Sequence, residues 1–345
     1  MLLIERRQYD MEKTEKSSKK KLNKGKKITI SVVVIFVVLV ALVFGIGRFM
    51  VGFVLDTEAK VTMKSVMTEA MTKMNSTNGV SDFSGYTGDK ETIAWFKNSV
   101  KDTYIISEDD LKLHAYEIKN ENGNGNYMIS CHGYSSSSND MANSAKHFYD
   151  MGYSILLPDA RAHGDSEGRY IGMGWPERKD MLLWIDKLIE ENPQTKIGLY
   201  GVSMGGATVM MTSGEELPKQ VVVAVEDCGY SSVWDEFNSQ LKAMFHLPSF
   251  PLLDAASIVN EGVGGYNFKE ASSVEQVKKC KIPMLFIHGD QDKFVPFEML
   301  EKVYNAAECE KEKLVIKGAD HAKSAATDPE LYWSTVEEFL AKHMQ

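Results

Sequence analysis

The sequence predicts an α/β protein: a mostly parallel central sheet with helices on both faces and a short helical lid, preceded by one membrane-spanning helix. Three observations carry this. Residues 28–47, ITISVVVIFVVLVALVFGIG, run for twenty positions without a charge. From about Lys101, short apolar runs alternate with segments of helical periodicity. A glycine-flanked serine, Gly201-Val202-Ser203-Met204-Gly205-Gly206, falls between a strand run and a helix run.

The bulk composition is that of a globular chain. Of 345 residues, 43% are hydrophobic and 25% charged, which excludes collagen-like, low-complexity and wholly disordered classes. Four cysteines without a CxxC pair argue against a disulfide framework, a zinc ribbon or a redox motif. A net charge of −9 speaks against general nucleic-acid binding. The charge is unevenly divided. Residues 1–55 hold eleven Lys/Arg against four acids, a net of +7; the rest holds 28 against 44, a net of −16. A basic tail precedes an acidic body.

A helix of twenty residues spans roughly 30 Å, the hydrocarbon thickness of a bilayer. No strand of a globular domain is that long. A cleaved signal peptide is the rival reading. The run exceeds the usual h-region of about 7–15 residues, and no A-x-A site follows it, so an uncleaved signal anchor is expected. Ten of the eleven bases lie before the span, seven of them clustered in KSSKKKLNKGKK. Positive residues stay on the cytoplasmic side, which puts the N-terminus inside and the body outside a plasma membrane. The basic run serves as that topology signal in preference to a specific anionic-lipid site. Arg48, just past the span, weakens the asymmetry slightly.

The chain then divides into a tail (1–27), an anchor (28–55), a helical connector (56–100) and a main domain (101–345). In the connector, Met63, Val66, Met67, Ala70, Met71 and Met74 recur at three- and four-residue steps, one apolar stripe for packing. Asn75–Asp89 is a loop by composition. Strands are expected at Tyr104–Ser107, Leu111–Ile118, Tyr127–Cys131, Tyr153–Leu157, Ile197–Tyr200, Val221–Val225, Met284–Ile287 and Lys313–Ile316. Helices are expected at Asn139–Tyr149, Met181–Ile189, Met204–Thr212, Glu298–Ala307 and Glu330–Lys342. Such alternation implies parallel strands between two helical layers, with the first two strands as an antiparallel edge. Residues 231–273 break the rhythm with helical pieces Val233–Phe245 and Leu252–Val259, two prolines and a glycine cluster. An insertion between strands at this place reads as a lid.

A bare GxSxG arises by chance about once in ten chains of this length. Its place at a strand-to-helix turn gives it meaning: the hydroxyl is pushed above the sheet, and small flanking residues relieve crowding. The Met204 amide, at the helix start, can face an oxyanion. A serine needs a base to take its proton, and that base needs an orienting acid. His321 follows the strand Lys313–Ile316, and Asp292 follows the strand Met284–Ile287. All three therefore sit at carboxyl ends of strands, where open α/β sheets bind ligands. Asp290 is a second candidate acid, and Asp320, beside His321, reads as a loop residue.

These residues resemble the α/β-hydrolase superfamily from roughly Lys101 to Gln345. The resemblance rests on GVSMGG, HGDQDKFVP, GADH, the loop Cys131-His132-Gly133-Tyr134 and the loop 159–168, DARAHGDSEG, which is similar to a DxRGxGxSxG pattern. Ala162 stands where that pattern has glycine. The nearest resemblance is to bacterial membrane-anchored members of poorly defined substrate. It implies Ser203 as nucleophile, His321 as base, Asp292 rather than Asp290 as orienting acid, and the backbone amides of Tyr134 and Met204 as the oxyanion hole. It implies a small-molecule or lipid-like acyl substrate, with Phe294 as a binding residue, and no cofactor.

The remaining candidates have plainer readings. His132, His163 and His288 each precede a glycine in a loop, and their spacing matches no metal motif. Cys131 and Cys228 pack as small apolar groups, although four cysteines also allow three pairings. Trp175 and Trp184 read as packing residues. Tyr134, Phe245 and Phe250 are candidates for the acyl pocket, with core or lid packing equally open for the last two. Carboxylic-ester hydrolysis is the expected activity. A peptidase, thioesterase or acyltransferase would use the same groups, and a non-catalytic surface-binding protein of this fold is the reading from another class.

Overall fold

The computed structural model describes residues 2–63 and 88–344. One long helix, α1 (Leu2–Val54), opens the chain and contains the only segment among the described residues long and apolar enough to cross a membrane. It is followed by α2 (Lys90–Ser99) and the antiparallel pair β1 (Lys101–Ile106) and β2 (Lys112–Ile118). Then come β3 (Tyr127–Cys131), a 3₁₀ turn at Ser138–Met141, α3 (Ala142–Asp150), β4 (Ser154–Pro158), α4 (Glu177–Glu191), β5 (Ile197–Val202), α5 (Met204–Ser213) and β6 (Val221–Asp227). The lid helices are α6 (Val233–Phe245) and α7 (Leu252–Val263), with a short α8 (Ser273–Val277) behind them. The chain closes with β7 (Met284–Gly289), α9 (Glu298–Ala306), β8 (Lys311–Ile316), α10 (Ser324–Thr327) and α11 (Pro329–His343).

The eight strands form one sheet in the order β1-β2-β4-β3-β5-β6-β7-β8. β1–β2 and β2–β4 are antiparallel; β4 through β8 run parallel. Strands β3, β4 and β7 are buried along their whole length, which is why they read as unbroken apolar runs rather than alternations. Phe148, Tyr200, Trp333 and Phe339 fill one helical layer. Trp184, Met210, Phe286 and Leu300 fill the other. A third cluster joins the lid to the end of α1 through Val51, Leu55, Tyr230, Leu253 and Phe268.

Most differences from expectation lie at element ends. β1 starts at Lys101 rather than Tyr104, because an edge strand pairs polar residues as readily as apolar ones once β2 offers Glu117 opposite Lys101. α4 begins at Glu177, four residues before its apolar stripe, and β8 begins at Lys311. The helix expected from Asn139 divides into the 3₁₀ turn and α3. The helical connector expected from Asp56 does not start there. Thr57 N–H donates to the Arg169 carbonyl at 3.0 Å, so the body, not a helix, takes up this backbone. Of the methionine stripe, Met63 is buried; Val66, Met67, Ala70, Met71, Met74 and most of the loop 75–89 lie outside the described residues.

Three backbones cross closely beneath the Ser203 turn. A Cβ on Gly205 would sit 2.1 Å from the Cys131 carbonyl oxygen, and one on Gly201 would sit 2.2 Å from that of Gly205. Gly205→Ala is therefore expected to cost about 1–3 kcal/mol, as overpacking does. A chain of this size shows that as a Tm loss of roughly 2–4 °C per kcal/mol. Gly262→Ala, in α7 with nothing within 4 Å of an added Cβ, is expected to hold or raise Tm in the same calorimetric scan.

Candidate active site

Ser203 ends β5 and begins α5 with φ 58° and ψ −117°, a backbone conformation that L-residues rarely adopt. Its N–H donates to the Asp227 carbonyl at 2.8 Å, and its carbonyl accepts from Ala207 N–H at 2.9 Å, so the turn is held from both sides. The side chain is left above the sheet. There His321 Nε2 stands 2.9 Å from Ser203 Oγ, and His321 Nδ1 stands 2.7 Å from Asp292 Oδ2. The three residues singled out from sequence thus form one hydrogen-bonded chain from three strand ends.

Asp292 is buried with full compensation. Burial alone would push its carboxyl up; hydrogen bonds from His288 and His321 outweigh that and hold it below its ordinary value. Oδ1 also accepts from the N–H groups of Phe294 and Val295, each at 2.9 Å. An ionised Asp292 accepts the hydrogen bond from His321 Nδ1–H, which leaves Nε2 free to accept from the serine. His288, expected only as a loop residue, stands behind the acid with Nε2 3.2 Å from Asp292 Oδ2 and 3.0 Å from the Val295 carbonyl. Nothing in its sequence position marks it, beyond lying four residues before Asp292. Asp290 turns away: its Oδ1 accepts from Gly318 N–H at 2.7 Å. Asp320 accepts from the His321 backbone amide at 2.8 Å, the loop role expected of it.

Met204 opens α5, and a first helical residue has no intrahelical acceptor for its N–H. The 131–135 loop lies alongside: a Cβ on Gly133 would come 3.6 Å from Ser203 Cβ. Two histidines set this loop. His132 Nε2 accepts from Ala160 N–H at 3.0 Å, so its Nδ1 donates to the Gly133 carbonyl at 2.8 Å. His163 Nε2 accepts from Ser135 N–H at 3.2 Å. Tyr134 contributes a contact invisible in the sequence. Its hydroxyl donates to the carbonyl of Val54 at 2.5 Å, tying the loop beside Ser203 to the last turn of α1.

The loop 159–168 is organised by Asp159. It accepts from His114 Nδ1 at 2.7 Å, from Ser138 N–H at 2.8 Å and from Asp165 N–H at 3.1 Å. Burial would raise its carboxyl, but these donors bring it down to about 2. Ala162 takes φ 61°, so the left-handed conformation suited to glycine is retained there with a side chain in place.

Two groups among the described residues could offer three ligand atoms to a metal: Cys228-Asp292-His321 and His114-Asp159-Asp165. In the first, burial raises the Cys228 thiol far above its ordinary range, away from the thiolate a metal requires. In the second, both ring nitrogens of His114 already face carboxylates, Asp159 and Asp102. All four cysteines are free thiols.

Beside Ser203 opens a pocket with almost wholly apolar walls. Met173, Phe237, Leu241, Phe268 and Phe294 line the body and lid side. The Phe294 ring centroid lies 4.9 Å from that of His321. Phe245 also lines the pocket, whereas Phe250 does not and is exposed. Trp184 is core, and Trp175 stacks on the Arg178 guanidinium. Glu236 is the acid in the pocket wall. Gln240 Nε2 donates to its Oε1 at 2.9 Å, and burial pushes the carboxyl up to about 8.

The chain is similar in sequence and fold to several known proteins. A family model described as serine aminopeptidase, S33, matches residues 125–239. The chain is 29% identical over 253 residues to the uncharacterized protein YqkD of Bacillus subtilis, covering 71% of this chain and 81% of that one. It is 24% identical over 249 residues to the uncharacterized membrane protein YNL320W of Saccharomyces cerevisiae, covering 68% and 78%. The Pyrococcus furiosus esterase Pf2001 superimposes with a TM-score of 0.60 at 26% identity, over 75% of this chain and 97% of that one. The Pyrococcus horikoshii acylaminoacyl peptidase shares the fold, with a TM-score of 0.54 at 19% identity over 74% of this chain and 44% of that one.

A carboxyl raised to about 8 binds its proton more tightly folded than unfolded, where it titrates near 4.3. Its contribution to stability is full below about pH 4 and is lost as pH rises through about 8. Glu236→Gln removes that dependence. Relative to the parent, its Tm is expected to gain several degrees, roughly 2–4 °C per kcal/mol, between pH 5 and pH 9 in thermal melts.

Proposed function

We propose, from the premise that this chain belongs to the α/β-hydrolase superfamily, that it is a membrane-anchored serine hydrolase of carboxylic esters. The observation that carries the proposal is the unbroken hydrogen-bonded chain Ser203–His321–Asp292 beside an apolar pocket. Ser203 Oγ attacks the acyl carbon while His321 Nε2 takes its proton. The oxygen of the tetrahedral intermediate is met by the Met204 and Tyr134 amides, aided by the positive end of α5. As the ester C–O bond breaks, His321 returns the proton to the leaving alcohol. Water then attacks the acyl-enzyme by the same route in reverse, releasing the carboxylic acid and restoring the serine. Asp292 stays ionised throughout. It holds the imidazole tautomer and offsets the charge on His321, and His288 with the two backbone amides keeps it anionic.

The anchor is α1. Its twenty-residue uncharged run, the bases before it and the membrane relative support a single-pass plasma-membrane protein with the catalytic domain outside the cytoplasm. The S33 match favours a second reading, peptide cleavage from an amino terminus. That reading calls for a carboxylate to seat the substrate's ammonium. The pocket walls are almost wholly apolar, and their acid, Glu236, is buried and already engaged by Gln240, so the ester reading is the stronger.

A fluorophosphonate reacted with the folded protein is expected to label Ser203 and nothing else in stoichiometric amount. Ser203→Ala is expected to lower turnover of p-nitrophenyl esters by about 10⁶-fold, and Asp292→Asn by about 10⁴-fold. A folded parent protein that neither labels nor turns over any ester would defeat the proposal.

A further inference from the structure

The pocket beside Ser203 has a wall that does not belong to the catalytic domain. Met50, Val51, Phe53 and Val54 in the last turns of α1, and Leu55 just after it, line it. α1 is exposed along its apolar run, then becomes covered where it meets the lid. At Gly47 the two helices touch backbone to backbone: an added Cβ would lie 2.9 Å from Ala255 C and from Ala256 N in α7. Beyond Gly47 the helix is locked. Asp56 accepts from Arg169 Nε and Nη2, each at 2.9 Å, and Ile171 N–H donates to the Leu55 carbonyl at 2.9 Å. The Tyr134 hydroxyl on Val54 completes the attachment.

The length of this stretch sets where the pocket is. Gly47 ends the uncharged run, and Leu55 lies eight residues further, about 12 Å along the axis. The pocket wall therefore starts within one helical turn of the end of the uncharged run. Its mouth is greasy as well. Met244 and Phe245 both line the pocket and are about half exposed, at 48% and 52%. Phe49, Leu247, Phe250 and Ile258 are exposed on the same helices and the turn between α6 and α7. Exposed large apolar groups clustered on a lid and on the emerging anchor mark a surface that meets lipid or a partner. The continuity of the pocket wall with the membrane span itself selects lipid.

We propose that the substrate is a long-chain acyl ester dissolved in the bilayer, drawn into the pocket along α1 with its acyl chain against Met50–Leu55. This rests on the serine-hydrolase reading above. An acyl chain that leaves the bilayer along this wall exchanges one apolar surface for another and crosses little water, so the anchor is part of the substrate site and not only a tether.

The test uses the full chain reconstituted in phosphatidylcholine/phosphatidylglycerol vesicles. A fluorophosphonate bearing a sixteen-carbon chain with a terminal diazirine is reacted, photolysed and mapped by mass spectrometry. Cross-links from phosphonylated Ser203 to residues 50–55 are expected. In parallel, a palmitoyl ester doped into the vesicles is expected to be consumed, and Ser203→Ala is expected to abolish that. Val54→Trp, which fills the wall, is expected to lower the ratio of C16 to C4 ester kcat/KM at least tenfold. Ser203 labelling with cross-links confined to other residues, or turnover of water-soluble esters with the vesicle ester untouched, overturns this inference and leaves the hydrolase reading standing. Failure of any phosphonate to label the folded protein overturns both.

Discussion

The crossing of β3, β5 and α5 at glycine-only distances is the constraint on which the site depends. Gly205 passes against the Cys131 carbonyl, and Gly201 against Gly205, with no room for a Cβ at either place. The chain can turn from β5 into α5 this tightly only by forcing Ser203 to positive φ, and the Asp227 carbonyl holds it there. That strain is local and is sustained by packing on both sides. The same crossing brings the 131–135 loop beside the serine, so Ser203 and the neighbouring amides are positioned by one steric fact. Parallel pairing of β5 through β8 then delivers His321 and Asp292 to the same rim, since every one of these strands ends on the same edge of the sheet.

Buried acids in this protein divide by the donors they meet. Asp292 has two backbone amides and two histidines around it, and its carboxyl stays low despite burial. Asp159 behaves likewise, with His114 and two backbone amides. Glu226 and Glu236 are as deeply buried but meet fewer donors, and desolvation pushes each up to about 8. The outcome is an anion held behind His321, while the donor-poor Glu226 and Glu236 are pushed toward their protonated forms. The same interior thus lowers one buried carboxyl and raises others, according to the hydrogen-bond donors and charges each one meets.

The lid and the anchor act as one layer. α7 packs on α1 at Gly47, α6 carries Glu236, Phe237 and Leu241 into the pocket, and the third hydrophobic cluster runs through all of them. The Tyr134–Val54 contact ties this layer to the loop next to the nucleophile. Any movement of α1 against the body must therefore strain that loop, the Asp56–Arg169 pair or the α1–α7 seam.

Much of this was legible in the chain itself, because local pattern and local chemistry carry it. Apolar runs without alternation announced doubly buried strands, and twenty uncharged residues announced the long helix. The small residues around Ser203 could be read as a tight turn, and the need for a histidine and an acid at other strand ends followed from the serine's proton, with Asp292 preferred by resemblance. Sequence alone could not separate the roles of nearby groups. Asp290 and Asp292 differ by two positions, and only folding shows one capping Gly318 and the other facing His321. His288 looked like any histidine before a glycine until the turn after β7 set its ring against Asp292. Phe245 and Phe250 were equivalent as letters, and packing put one in the pocket and the other outside. The end of α1 is the largest such case. Its residues are ordinary anchor residues in sequence, and they become a pocket wall only because contacts more than a hundred positions away, at Arg169 and at Ala255, bring the chain back over them. Periodicity and motif spacing are properties of neighbours along the chain; which distant surfaces close around Ser203 is decided by the whole fold.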